Sequence, residues 1–129
     1  MTGGRGLIRA RVLVVDDEPP IVEFVTRALE HGGYEVVSAA DGLEALDRLA
    51  DSGPFDLAIS DIVMPGMDGI ELALKLAKDQ PEVRMLLMTG YSAEKQRAHN
   101  LDAITNRVIA KPFTLKQLLD TVRLVLSEG

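Results

Sequence analysis

The chain has 129 residues, which suits one domain, and 47% of them are hydrophobic, which excludes a disordered chain. The absence of Cys excludes a disulfide framework and a thiolate metal site, and no apolar run approaches the roughly 18–20 residues that span a bilayer. Twenty acidic against fourteen basic residues give a net charge of −6, which argues against nucleic acid as a partner because phosphate contacts need clustered Lys and Arg.

The first ten residues, MTGGRGLIRA, are rich in glycine and predict a flexible leader over residues 1–10. They lack the apolar stretch of about 7–15 residues that a secretory signal needs. We therefore expect one cytoplasmic domain over residues 11–128, with neither a membrane nor a nucleic acid as its partner.

After the leader, short runs rich in β-branched residues alternate with longer segments of helical periodicity. The strand runs are mostly Val, Ile and Leu without polar alternation, which is typical of strands buried on both faces of a parallel sheet. The predicted strands are Arg11–Val15, Glu35–Ala39, Asp56–Ser60, Arg84–Met88 and Arg107–Ala110.

Four of the intervening segments carry an apolar stripe at helical spacing, and Asp68 and Thr114 are placed to cap the last two. The stripes are Ile21, Val25, Ala28 and Leu29; Leu43, Leu46, Leu49 and Ala50; Ile70, Ala73, Leu74 and Ala77; and Leu115, Leu118, Leu119, Val122 and Leu126. The segment Ser92–Asn106 has no clean stripe, so we expect a short or irregular helix near Ser92–Ala98.

Alternating strands and helices predict a doubly wound α/β fold with a five-stranded parallel sheet and helices on both faces.

Polar residues end or follow four of the predicted strands. Asp16 and Asp17 follow the first strand, Asp61 the third, Thr89 the fourth and Lys111 the fifth. In a doubly wound sheet the carboxyl ends of the strands lie along one edge, and ligands bind there. We therefore expect three carboxylates, a hydroxyl and an ammonium group in one pocket.

Such a group of side chains suits metal-assisted phosphoryl transfer. Neighbouring carboxylates repel one another unless positive charge lies among them; Lys111 supplies one charge and a divalent cation would supply more. An all-oxygen site suits Mg²⁺ or Mn²⁺, and the lack of Cys disfavours zinc. One carboxylate can attack phosphorus to form an aspartyl phosphate, with the cation, Lys111 and Thr89 facing the phosphoryl oxygens.

Each of these residues has an ordinary alternative role. An Asp at a strand end most often caps a helix or lies in a solvated turn, Thr89 alone suits a turn, and Lys111 alone suits the surface. The prediction therefore depends on their joint occurrence at four strand ends.

The stretches that carry these residues resemble the response-regulator receiver domain of two-component signalling, the CheY-like family. They are VLVVDDEP (12–19), SDIVMPGMDGIEL (60–72), MTG (88–90) and AKPF (110–113). The resemblance covers about Arg11 to Glu128. It implies a flavodoxin-like fold with the strand order 2-1-3-4-5.

The resemblance also implies a role for each site residue. Asp61 would accept a phosphoryl group from a histidine kinase or a phosphotransfer protein, and Thr89 and Lys111 would each bond a phosphoryl oxygen. Lys111 and Pro112 would be joined by a cis peptide bond. The Mg²⁺ ligands would be Asp16, Asp17, Asp61 and the backbone carbonyl of Val63.

The sequence departs from the usual receiver pattern at one switch position. Receivers commonly carry an aromatic residue three positions before the lysine, and this chain has Val108 there. Tyr91 is a candidate substitute that would shield the phosphoryl group from water; the alternative is a half-exposed aromatic in a loop.

Because the sequence ends at Gly129, directly after the last predicted helix, we expect a stand-alone switch whose surface is read by an unidentified downstream protein. Among single-domain receivers the motifs resemble the CpdR type, whose members are phosphorylation-controlled adaptors for a cytoplasmic protease. The protein would be a phosphoacceptor and not an enzyme.

Two other functions remain open at this point. A Mg²⁺-dependent phosphohydrolase would use Asp61 as its nucleophile, but Ile62 and Val63 follow it where such enzymes usually place a second Asp. A receiver-like module that is never phosphorylated would typically lose an acid, the Thr or the Lys, and this sequence keeps them all.

Overall fold

The structure is a computed structural model that describes residues 9–90 and 107–128. Strands and helices alternate along most of the described chain. In chain order the elements are β1 (Arg11–Val15), α1 (Pro19–His31), β2 (Glu35–Ala39), α2 (Gly42–Asp51), β3 (Leu57–Asp61), α3 (Gly69–Asp79), β4 (Arg84–Thr89), β5 (Arg107–Ala110) and α4 (Leu115–Ser127).

The five strands form one parallel sheet in the order β2-β1-β3-β4-β5, which confirms the predicted fold class and strand order. The register aligns the carboxyl ends of the strands: Val15 pairs with Ala39 and Ser60, and Thr89 pairs with Ala110. The residues that follow these strand ends therefore lie along one edge of the sheet.

Two strand boundaries differ from the prediction. β3 is Leu57–Asp61 and not Asp56–Ser60, because Asp61 continues the ladder opposite Met88. β4 extends one residue further than predicted, to Thr89, which pairs with Ala110. Both polar residues thus end a strand, and their backbones are held by the sheet.

The sheet separates two hydrophobic cores. Along β1, Val12 and Val14 point into the core formed with α1 and α4, whereas Leu13 and Val15 point into the core formed with α2 and α3. Full burial of a Val or Leu side chain contributes about 1.5–3 kcal/mol, so both faces of this central strand stabilise the fold. Helices cover both faces, as predicted.

Parts of the predicted apolar stripes are wrong. Leu43 is 64% exposed and Leu74 is 43% exposed, and Leu115 is also exposed. In α3 the predicted Ile70 and Ala73 are buried, and Leu72 and Leu76, which were not predicted, are buried beside them. The buried face of α3 is therefore shifted toward Leu72 and Leu76, which leaves Leu74 on the exposed side.

The predicted caps of α3 and α4 are confirmed. The Asp68 carboxylate accepts from the Glu71 N–H at 2.9 Å, and Glu71 in turn accepts from the Asp68 N–H. Thr114 and Gln117 form the same reciprocal pair at the start of α4. Each pair satisfies two backbone donors that a helix start leaves free.

Three predictions lie outside the described residues: most of the leader, the helix near Ser92–Ala98 and the placement of Tyr91. Within the described part of the chain, no helix combines the length and apolar character needed to cross a membrane.

Candidate functional site

The predicted site residues lie at the carboxyl ends of the strands. Asp16 and Asp17 follow β1, Asp61 ends β3, Thr89 ends β4 and Lys111 follows β5. The ladders β1–β3, β3–β4 and β4–β5 fix these ends side by side. Residues far apart in sequence are thereby brought to one edge, as the sequence analysis predicts.

Asp16 is almost completely buried, with 1% of its surface exposed. Its backbone N–H donates to the carbonyl of Ala39, which extends the pairing of β1 with β2 by one step. Its carboxylate accepts from the Glu18 N–H at 2.9 Å. These two bonds fix both the backbone and the side chain of Asp16, so this carboxylate has a defined direction.

Lys111 connects the acidic residues of β1 and β3. Its Nζ lies 3.0 Å from Oδ1 of Asp61 and 3.5 Å from Oδ2 of Asp16. The Lys111 N–H donates to the Thr89 carbonyl at 2.8 Å, and the peptide bond from Lys111 to Pro112 is cis. One partly buried ammonium group therefore interacts with two carboxylates.

This single ammonium group does not fully offset the cost of burying the acids. Burial raises the pKa of Asp61 above its usual value; Lys111 lowers this pKa in part, and the charge of Asp16 raises it again. Burial likewise raises the pKa of Asp16, against the opposing effects of the Glu18 N–H and of Lys111. Burial lowers the pKa of Lys111, but the two carboxylates outweigh this effect and raise it overall.

The donor set fits a hard divalent cation. Asp16, Asp17 and Asp61 each offer a carboxylate oxygen, and these oxygens lie within 4.8 Å of one another. Asp16 and Asp61 are buried whereas Asp17 is exposed, so the cluster opens to solvent on one side. Oxygen ligands with room for waters suit Mg²⁺, and a cation there would oppose the burial that raises the pKa values of Asp16 and Asp61.

A cavity of about 550 Å³ gives access to the cluster. Val63 lines it together with Asp17 and Asp61 and is 53% exposed. Thr89 is buried at the adjoining strand end. Glu18 and Gly90 also line the cavity; neither was predicted, although each directly adjoins a predicted site residue.

Sequence reasoning also missed Ser60. This buried residue donates its hydroxyl to the backbone carbonyl of Asp61 at 2.9 Å. The sequence could have indicated it, because Ser60 follows three apolar residues of the strand. Val108, at the usual aromatic position, is half-buried and packs against the core beside α2 and α3.

Comparisons with known proteins agree with this geometry. Residues 12–123 match the model of the response regulator receiver domain. The chain is 37% identical over 116 residues to the response regulator MprA of Mycobacterium sp. (strain KMS), covering 90% of this chain and 50% of the relative. The chain thus spans about half the length of such curated relatives.

Solved structures are similar over almost the whole chain. The chemotaxis protein CheY4 of Vibrio cholerae has a TM-score of 0.82 and 33% identity, covering 92% of this chain and 99% of that one. The response regulator TrrA of Thermotoga maritima, solved in complex with Mg²⁺ and BeF, has a TM-score of 0.80 and 36% identity, covering 90% and 98%.

Proposed function

This chain belongs to the response regulator receiver domain family, and on that premise we propose that it works as a phosphoacceptor switch in which Asp61 is phosphorylated. The observation that carries the proposal is the pairing of the Asp61 carboxylate with Lys111, within a group of three carboxylates at one sheet edge. Receiver domains of this family take a phosphoryl group from a donor such as a histidine kinase.

The proposed reaction is an in-line displacement. An oxygen of the Asp61 carboxylate forms the new bond to phosphorus, and the bond from phosphorus to the donor's histidine nitrogen breaks. The leaving nitrogen keeps the electron pair of that bond and takes a proton from water. Charge spreads over the phosphoryl oxygens during the transfer, so catalysis needs positioned positive groups more than proton transfer. Lys111, now 3.0 Å from Asp61, is placed to move onto a phosphoryl oxygen, and Thr89 would bond another.

We propose that Asp16, Asp17, Asp61 and the backbone carbonyl of Val63 would hold Mg²⁺, with Mn²⁺ as a substitute. When bound, the cation would neutralise charge on the phosphoryl oxygens. The carboxylate cluster and the half-open cavity support this set, and the complex of TrrA with Mg²⁺ and BeF shows that a similar protein binds such a group.

For the partners, we propose a histidine kinase or a phosphotransfer protein as the donor and a separate downstream protein as the reader. We propose that the receiver unit spans residues 11–128, preceded by a leader, and that it lies in the cytoplasm. The CpdR subtype and its protease-adaptor role stay predictions.

Incubation with acetyl phosphate and Mg²⁺, followed by intact-mass measurement, tests the proposal. We expect one adduct with the mass of a phosphoryl group, stable in acid, cleaved by hydroxylamine and absent from Asp61→Asn. Release of many equivalents of phosphate per protein would identify a phosphohydrolase instead. Absence of any adduct would identify a receiver-like module that is not phosphorylated, and the proposal would fail.

A further inference from the structure

Helix α3 begins directly against the backbone of Asp61. A Cβ atom built on Gly69 would lie 2.2 Å from the carbonyl oxygen of Asp61, 3.0 Å from its carbonyl carbon and 3.1 Å from the Cα of Ile62. The neighbours in this contact are backbone atoms, which cannot rotate away as a flexible side chain can. Any side chain at position 69 therefore requires the end of β3 or the start of α3 to move.

The backbone conformation does not explain this glycine. Among the described residues the glycines with positive φ are Gly33 and Gly66, and Gly69 is not one of them. Alanine has a higher helix propensity than glycine, so the first residue of α3 would favour alanine if packing allowed it. The close approach to Asp61 is the feature of the structure that requires a glycine here.

Hydrogen bonds also fix the carbonyl groups of Asp61 and Ile62. The Gly69 N–H donates to the Ile62 carbonyl at 2.9 Å, and the Ser60 hydroxyl donates to the Asp61 carbonyl at 2.9 Å. Val63 directly follows these fixed groups. Hydrogen bonds from α3 and from β3 therefore hold the backbone that carries the Asp61 carboxylate and the proposed Val63 carbonyl ligand.

We propose that Gly69 is a positioning residue for the phosphoacceptor. Because it has no side chain, α3 can lie on the Asp61 carbonyl, and this contact sets how far the Asp61 carboxylate reaches toward Asp16 and Lys111. The inference rests on the proposed function, since it assigns Gly69 a role in the same phosphorylation site.

Gly42 provides a matched control. It is the buried first residue of α2, and a Cβ atom there would lie 2.8 Å from both the Cβ and the carbonyl oxygen of Met67. Gly42→Ala and Gly69→Ala therefore make the same chemical change at the same helix position, with a collision in each case. They differ in whether the collision is with the backbone of Asp61.

The experiment measures three quantities for each variant: the unfolding midpoint, the Mg²⁺ dissociation constant by calorimetry, and the rate of phosphorylation by acetyl phosphate per folded molecule. We expect Gly69→Ala to slow phosphorylation about 10- to 100-fold, as small misplacements of reacting groups do, and to weaken Mg²⁺ binding. Gly42→Ala should lower the unfolding midpoint but keep the rate within about threefold of the wild type.

Two results would overturn the inference: a wild-type rate and Mg²⁺ affinity in Gly69→Ala, or an equal loss of rate in Gly42→Ala. If Gly69→Ala does not fold, Ser60→Ala decides, because it removes the donor to the same carbonyl without adding an atom. A rate slower by about fivefold, the value of one hydrogen bond, supports positioning, and a rate within about threefold of the wild type contradicts it.

Failure of the proposed function is distinguishable from failure of this inference. A wild type that gains no phosphoryl adduct contradicts the phosphoacceptor role. The Mg²⁺ affinities of Gly69→Ala and Gly42→Ala, measured without any phosphodonor, still test the positioning of the carboxylate cluster: weaker binding in Gly69→Ala alone supports it, and equal binding overturns it.

Discussion

Asp16 and Asp61 are buried carboxylates that share the ammonium group of Lys111. Their residue types and their positions after strands were readable from the sequence. Their burial and their unequal distances to Lys111 were not, because these depend on how the sheet aligns its strand ends. Burial raises the pKa of each acid, and a carboxyl with a raised pKa favours the folded protein less when it is ionised.

Removal of one of these charges should therefore stabilise the metal-free protein. In metal-free buffer near neutral pH, we expect Asp61→Asn to have a higher free energy of unfolding than the wild type. The folded-state pKa of Asp61 is raised above 3.8, so the folded protein holds the proton more tightly than the unfolded chain does. The advantage of Asp61→Asn should shrink as the pH falls through this raised pKa toward 3.8.

Urea unfolding of both proteins over a pH series measures this difference. Asp47→Asn, at an exposed position on α2, controls for the loss of one negative charge from the whole chain. An Asp61→Asn protein that is less stable than the wild type at neutral pH, or an advantage that grows on acidification, would contradict the electrostatic account.

Lys111 should compete with the cation for the same carboxylates. Lys111→Met keeps an apolar stem and removes the ammonium group, so we expect Mg²⁺ binding to tighten by about tenfold, or about 1.4 kcal/mol. This is a modest fraction of the interaction between unit charges about 4 Å apart near a protein surface. Calorimetric titration with Mg²⁺ measures it, and weaker binding in Lys111→Met would show that Lys111 instead organises the ligands.

At the scale of elements, the sequence predicts which segments form strands and helices better than it predicts which side of each helix packs against the sheet. Three of the five strands were predicted with their observed bounds, and β1, a β-branched run that is buried almost throughout, is the clearest case. The exposed Leu43 and Leu74 show the limit, since periodicity defines an apolar stripe but not which of its members contact the sheet. Asp41, which caps α2 by accepting from the Glu44 N–H, was missed because it lies in the short polar connection after β2.

The confirmed caps have measurable energies. Asp68→Ala should lower the free energy of unfolding by about 1 kcal/mol, because it leaves the Glu71 N–H without its acceptor. Thr114→Ala removes the corresponding bond to Gln117 in α4 and should cost a similar amount. Chemical denaturation of both variants measures this. A loss below about 0.3 kcal/mol in both would show that the caps contribute little here.

At the scale of the whole molecule, the site exists only when the sheet has formed. The site residues end or follow four strands, and they are distant in sequence: Asp16 follows β1, whereas Lys111 follows β5. Spacing along the chain could predict a common edge, but the strand order came from the family resemblance, since loop lengths alone permit several orders. Binding of a cation to this edge is therefore coupled to folding of the entire domain.

Mg²⁺ should thus stabilise the wild-type fold in proportion to its occupancy. At a concentration about 100 times its dissociation constant, it should raise the free energy of unfolding by about 2.7 kcal/mol. Asp61→Asn, which lacks one carboxylate of the cluster, should gain less. Thermal unfolding with increasing Mg²⁺ measures both. Equal shifts in the two proteins would place the cation elsewhere.

The central claim is that Asp61 receives the phosphoryl group, and site mapping tests it most directly. After treatment with acetyl phosphate and Mg²⁺, borohydride reduces an aspartyl phosphate to homoserine, and peptide mass spectrometry locates the change. We predict homoserine at position 61 alone, and no conversion in the protein left untreated with acetyl phosphate. Conversion at Asp16 or Asp17 with Asp61 intact would contradict the account.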